Sequence, residues 1–328
     1  LETQKRTPWR RWIVLALMIA GFILGGIFVP VQPEIAVAAE KLIEEPIVEN
    51  FIGLGPLYLV NTLPTLAVTL VLLALIAFFT NRSLKQSQNT DLVPRGIGNV
   101  VEAILEILYN LTEGSAGKYA KMIFPWFATI MIYVLFANLL KLIPGFESIG
   151  VLHHAHGEGH TIAEIGGGWA NLLPAKVEEG GYILAPFFRG ISVDLNFTAS
   201  LALISVVMIQ VIGFRAQGVG YLSKFFNTRR MFKVPFFGAM DFLVGLLELI
   251  SEISKILSFA FRLFGNMFAG IVLVAIVAGL LGKFSILPAM IMMFELFVGV
   301  IQAFVFGMLT MVFMAQATQG HGEEHAEH

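Results

Sequence analysis

Residues 241–281 read DFLVGLLELISEISKILSFAFRLFGNMFAGIVLVAIVAGLL. From Phe242 to Leu281 the run is apolar, and it is about twice the ~20 residues that cross a bilayer. A helix of that length must tilt strongly, lie partly in the membrane plane, or break. Arg262 stands in its middle. An arginine at membrane depth costs at least about 2.5–3.5 kcal/mol on insertion scales, and its charge cannot be shed. At about 100° per residue, Asp241, Glu248, Glu252, Lys255, Arg262 and Asn266 share a sector of roughly 80°, while the remaining circumference is apolar apart from Ser251, Ser254 and Ser258. Glu248, Glu252 and Lys255 are spaced for i,i+3 and i,i+4 pairs with one another. Arg262 is different. One turn before it stand Ser258 and Phe259, and one turn after it Gly265 and Asn266, so no acid is in reach on its own helix. Its countercharge must come from another helix or another chain. An ionisable residue inside a span marks an ion path by default. Gly265, Ala269 and Gly270 leave room beside the arginine for a close helix or for a partner's side chain.

The rest of the chain has the composition such a helix requires. Of 328 residues 57% are hydrophobic and 13% charged, against roughly 25% charged in soluble domains. The expected class is an all-α membrane protein with about five to six membrane helices. The C-terminal part is expected to form a long, strongly tilted or near-horizontal helical hairpin. Cysteine is absent, which excludes disulfides, thiolate metal sites and cysteine nucleophiles. A net charge of −2 provides no basic field for nucleic acid. There is no His-Glu-x-x-His, no Walker loop and no Gly-x-Ser-x-Gly, so nucleotide chemistry on this chain is not expected.

Apolar spans fall near Trp12–Val29, Leu57–Phe79, Ile123–Ile143, Ile191–Phe214, Phe242–Leu281 and Ile286–Ala315. Basic residues alternate between the connections. Lys5, Arg6, Arg10 and Arg11 precede the first span. Arg82, Lys85, Arg95, Lys118 and Lys121 follow the second, and Lys224, Arg229, Arg230 and Lys233 follow the fourth. Residues 30–56 and 146–190 are acidic by comparison. The positive-inside rule then puts the amino terminus and the basic loops inside, and the carboxyl tail inside if the last two spans form a hairpin. Residues 96–114, with Glu102 and Glu106 among apolar residues at helical spacing, suit a short amphipathic helix at the inner interface. The preceding DLVPRG reads as an ordinary loop. Basic residues, an apolar run and AVAA at 36–39 fit both a retained anchor and a cleavable signal, and the anchor is the expected one. The stretch HHAHGEGH, His153–His160, carries suitable metal ligands, but its glycines and lack of period suggest a flexible outer loop. The tail HGEEHAEH reads as a solvated end. Asp194 and Asn196 open the fourth span, as a helix cap or as channel lining.

Four stretches together resemble one family. ELISEISKILSFAFRLFGNMFAG is similar to the signature helix of subunit a of F-type ATP synthases, the membrane stator beside the rotating c-ring. FPWFATIMIYVLFANLLKLIPGF, DLNFTASLAL and GVIQAFVFGMLTMVFMA resemble further segments of that family, in order, over roughly residues 51–316. Residues 1–50 would be an N-terminal extension with an anchor or signal-like helix, and 317–328 a polar His/Glu tail. The resemblance implies proton translocation by Arg262, Glu248, Asn266, Glu295 and Gln302, with Asp241, Glu252, Lys255, Ser251, Asp194 and Asn196 as secondary channel-lining candidates. Arg262 matches the stator arginine and Asn266 its polar neighbour. Glu248 matches a half-channel acid, and Gln302 a glutamine facing the arginine. Many members carry a carboxylate nine residues after the arginine, where this chain has Ile271, and many of those have His where it has Glu295. The carboxylate has therefore moved to the facing helix, on which Glu295 and Gln302 share a face with Thr310 in reach. The resemblance further implies a c-subunit ring and b-type peripheral stalk subunits as partners, H⁺ or Na⁺ as the ion, and a lipid bilayer as surroundings. It implies no cofactor, no metal, no nucleic acid and no catalytic residue, in a bacterial plasma (inner) membrane. The competing class is a self-contained secondary ion transporter, which predicts inverted repeats and broken helices in both halves. The sequence shows one polar-striped long helix and no second copy. An intramembrane hydrolase would need a nucleophile–base pair or metal ligands within the spans, and the histidines all lie outside them.

Overall fold

The computed structural model describes residues 12, 39–43, 45–50, 53, 55–87, 96–143, 146–155, 159–178, 180–225, 235–281 and 287–319. The first apolar span beyond Trp12, the DLVPRG loop up to Arg95, His156–Glu158 and the His/Glu tail lie outside the described residues, so the choice between anchor and signal lies there too.

Six long helices are described. They are α1 (Thr62–Ser87), α2 (Ile97–Ala116), α3 (Ala120–Leu140), α4 (Leu195–Gln217), α5 (Pro235–Leu281) and α6 (Leu287–Thr318). Among the described residues five stretches are long and apolar enough to cross a membrane, α2 and α3 counting together as Gly98–Leu140. The short 3₁₀ turn Gly117–Tyr119 joins those two. Its glycine, at φ 50, stands where an L side chain would be strained. α2 buries Leu108 and exposes Glu102, Glu106 and Glu113, as an amphipathic helix should. α5 does not break. It runs 47 residues, about 70 Å at 1.5 Å per residue, more than twice the ~30 Å of a hydrocarbon core.

The chain divides into two compact units. The larger comprises Thr62–Ile143, Gly190–Phe268 and Leu296–His328. Its core is apolar and drawn from four helices: Ile123, Phe127 and Val134 of α3, Ile209 and Ile212 of α4, Leu263 and Met267 of α5, and Phe306, Met311 and Met314 of α6. Phe259 is buried with ring centroids 5.2 Å from Phe306 and 5.9 Å from Phe313. At Gly307 the helices α3 and α6 approach closely. A Cβ there would sit 2.8 Å from the Cβ of Met131 and 3.1 Å from Phe127, so only glycine fits, as small residues do between membrane helices. Carbonyls at and just past the end of α6 find their donor in α4, where Gln217 Nε2 donates at 2.9 Å to the oxygens of Ala317 and Gln319.

The smaller unit comprises Leu1–Asn61, Pro144–Arg189 and Ala269–Glu295. It holds an antiparallel sheet in the order β1-β4-β2-β3, built from β1 (Gly150–His154), β2 (Gly159–Gly166), β3 (Trp169–Val177) and β4 (Tyr182–Pro186). The expectation of an all-helical chain thus holds for the spans and gains a sheet outside them. The expected histidine loop is corrected as well: His153 and His154 belong to β1 and His160 to β2. Neighbouring strand residues face opposite ways, so His153 and His154 do not converge. Among the described residues no group of three His, Asp or Glu is placed to hold a metal.

Gly307→Val should lower stability by roughly 1–3 kcal/mol, the usual cost of overpacking. A thermal melt of the purified protein in detergent checks this, and an unchanged midpoint would show that α3 and α6 do not pack at Gly307.

Candidate functional site

The polar face of α5 carries two cations with different surroundings. Lys255 Nζ lies 2.9 Å from Oε1 of Glu252 and 4.7 Å from the ring centroid of Phe313. Glu252 is buried. The pairing permitted by the i,i+3 spacing therefore forms. Arg262, two turns on and half-buried, makes no hydrogen bond and no ion pair among the described residues. A Cβ at Gly265 would meet nothing within 4 Å, so space stands open beside the guanidinium's helix. Glu248 is half-buried and Ser251 exposed. Asp241 belongs to α5, and its side chain lies outside the described residues.

One turn past the arginine, Asn266 Nδ2 donates to Oε1 of Gln302 at 2.7 Å. Gln302 is thereby held by Asn266 across the α5–α6 contact. Its Nε2 is buried without a hydrogen-bond partner among the described residues. A buried donor with no protein acceptor calls for water or another partner. Thr310, on the same face of α6, spends its hydroxyl on the carbonyl of Phe306 at 2.9 Å.

A second polar cluster lies at the start of α4. Asp194 caps that helix through the backbone N–H of Asn196 at 2.9 Å, and its other oxygen accepts from Thr62 Oγ1 at 3.1 Å. Nearby, Ser192 Oγ donates to Asn138 Oδ1 at 2.7 Å, and Asn138 Nδ2 to the carbonyl of Gly299 at 3.0 Å. Asn138, Ser192 and Thr62 are all buried. Sequence reasoning gave none of the three a role. The available signal was Asn138 itself, an amide at the end of an apolar span that has to find partners. Asn196, by contrast, is exposed.

Glu295 of α6 is buried and lies against Gly270 of α5. A side chain at Gly270 would land on Oε1 of Glu295 and 2.8 Å from its Cδ. The glycine is thus what admits the carboxylate. Ile271, the position at which the resemblance marks this chain's departure from a family carboxylate, adjoins this glycine, so α6 delivers an acid to the level at which α5 lacks one.

Buried polar groups and an uncompensated arginine within helices that can cross a bilayer define an ion-translocating membrane protein. The ATP synthase A chain family model matches residues 63–315. The chain is 29% identical to the ATP synthase subunit a of Moorella thermoacetica over 269 residues, 82% of this chain and 95% of that protein. It is 30% identical to that of Desulforamulus reducens over 275 residues, 80% and 81% of the two chains. The subunit of Syntrophobacter fumaroxidans is 28% identical over 233 residues, 71% and 76%. The chain belongs to the ATP synthase A chain family, the proton-channel stator of the synthase membrane sector. It is a multi-pass integral membrane protein with partners in that complex. Its part in ATP synthesis is proton translocation rather than catalysis.

Gly270→Ala should displace the Glu295 carboxylate and slow passive proton flux through the membrane sector about as much as Glu295→Gln does. The double variant should be no slower than either single. Flux in membranes stripped of the catalytic sector measures this, and additive losses would separate the two residues.

Proposed function

We propose that Arg262 is the charge against which carboxylates of a c-subunit ring are discharged, one after another, between two aqueous half-channels. The observation that carries the proposal is the arginine's lack of an acid among the described residues of its own chain. A ring carboxylate facing lipid must be protonated, because burying the ionised form costs too much. Beside a fixed cation the ionised form is favoured. Each arriving site therefore gives up its proton toward one aqueous path and is reloaded from the other after passing. An arginine suits this better than a lysine, which can lose its proton when desolvated and so leak. The driving force is about 2.3 kcal/mol per charge per 100 mV, plus the pH term.

In this reading Glu295 serves the outer path. Glu248, with Asp241 and Ser251, serves the inner one. Asn266 and Gln302 hold the polar space beside the arginine, and the unpartnered Nε2 of Gln302 suits a bound water. Asp194, Asn138 and Ser192 line the outer approach, with Asn196 at its rim. Glu252 and Lys255 close on each other and stand aside from the relay. The basic loops face the cytoplasm of a bacterium, b-type stalk subunits hold the stator, and lipid covers the remaining apolar helix faces. The open space at Gly265 of α5 is where the ring would pass.

Arg262→Ala should abolish proton-driven ATP synthesis while leaving assembly intact. Synthesis by purified, reconstituted complexes is the measurement, and a substantial rate from the variant would refute the proposal.

A further inference from the structure

The polar face of α5 presents two cations, Lys255 and Arg262, separated by two helical turns or about 10 Å. If both were uncompensated, each would favour the ionised form of a passing carboxylate. A ring site would then have two levels at which to discharge, one of them wrong. Only one of the two is left bare. Glu252, buried in the same unit, holds Lys255 at 2.9 Å, and the ring of Phe313 of α6 lies 4.7 Å from the ammonium. Such a contact favours a cation over an aromatic face. Arg262 has no comparable neighbour among the described residues.

We propose that Glu252 is a positioning residue that masks Lys255, so that ring carboxylates meet a single discharging charge, at Arg262. The inference rests on the proposed function above and adds a determinant of where the ion is exchanged. It differs from a purely structural role for the pair in one respect. If the pair matters because it holds α5 to α6, losing both partners is at least as harmful as losing one. If it matters because it hides a charge, removing the lysine along with its mask restores function, since nothing remains to be hidden.

Reconstituted whole complexes carrying Glu252→Gln, Glu252→Gln with Lys255→Met, and Arg262→Ala test this, with ATP synthesis measured at equal complex content. Glu252→Gln is expected to reduce synthesis by about tenfold, roughly one 1.4 kcal/mol step in barrier, and the double variant to return to near the wild-type rate. A wild-type rate from Glu252→Gln, or a double variant as slow as the single, overturns the masking role. Should Glu252→Gln alone fail to assemble, the double variant still decides: active complexes support masking, and inactive ones show that the pair itself is required. Arg262→Ala serves as the control. If it retains synthesis, the underlying function fails, whereas an inactive control beside an unaffected Glu252→Gln rejects masking alone.

Discussion

A permanent cation inside an apolar helix, with no acid among the described residues of its own chain to answer it, is the constraint on which everything else depends. Arg262 cannot neutralise itself by losing a proton, and the open side of α5 at Gly265 provides no cover. Such a group is tolerated only where something else completes it. Polar groups nearby find partners within the chain. Asn266 and Gln302 bind each other, and Glu252 pairs with Lys255 through one carboxylate oxygen.

The two acids of interest are held by different means. Glu295 depends on an absence, the missing side chain of Gly270. Asp194 depends on a helix start and on the hydroxyl of Thr62. Both belong to helices packed by large buried side chains and by close glycine contacts such as Gly307 against Met131.

Much of this was legible in the chain. The spans follow from runs of apolar residues, and the polar stripe of α5 follows from helical geometry alone. The Glu252–Lys255 pair was readable from an i,i+3 spacing. Partners distant in sequence were not readable. Asn138 meets Ser192 only after α3 and the turn before α4 have folded together, and no local pattern announces it. The space at Gly270 for Glu295 likewise arises only once α5 and α6 have packed. The sheet was missed for another reason. Most of its strand residues are half-buried or exposed with few buried ones, and the β2–β3 register is irregular between His160 and Ile162 and again between Glu164 and Gly166. The alternation that marks a strand with one buried face is therefore faint.

The most direct measurement of the central claim is the environment of the Arg262 guanidinium in an experimental structure of the assembled complex, ring included. The account predicts an ionised ring carboxylate, or water leading to one, as its neighbour, with no acid of its own chain in contact. A guanidinium paired instead with a fixed carboxylate of this polypeptide, and sealed from the ring, would contradict it.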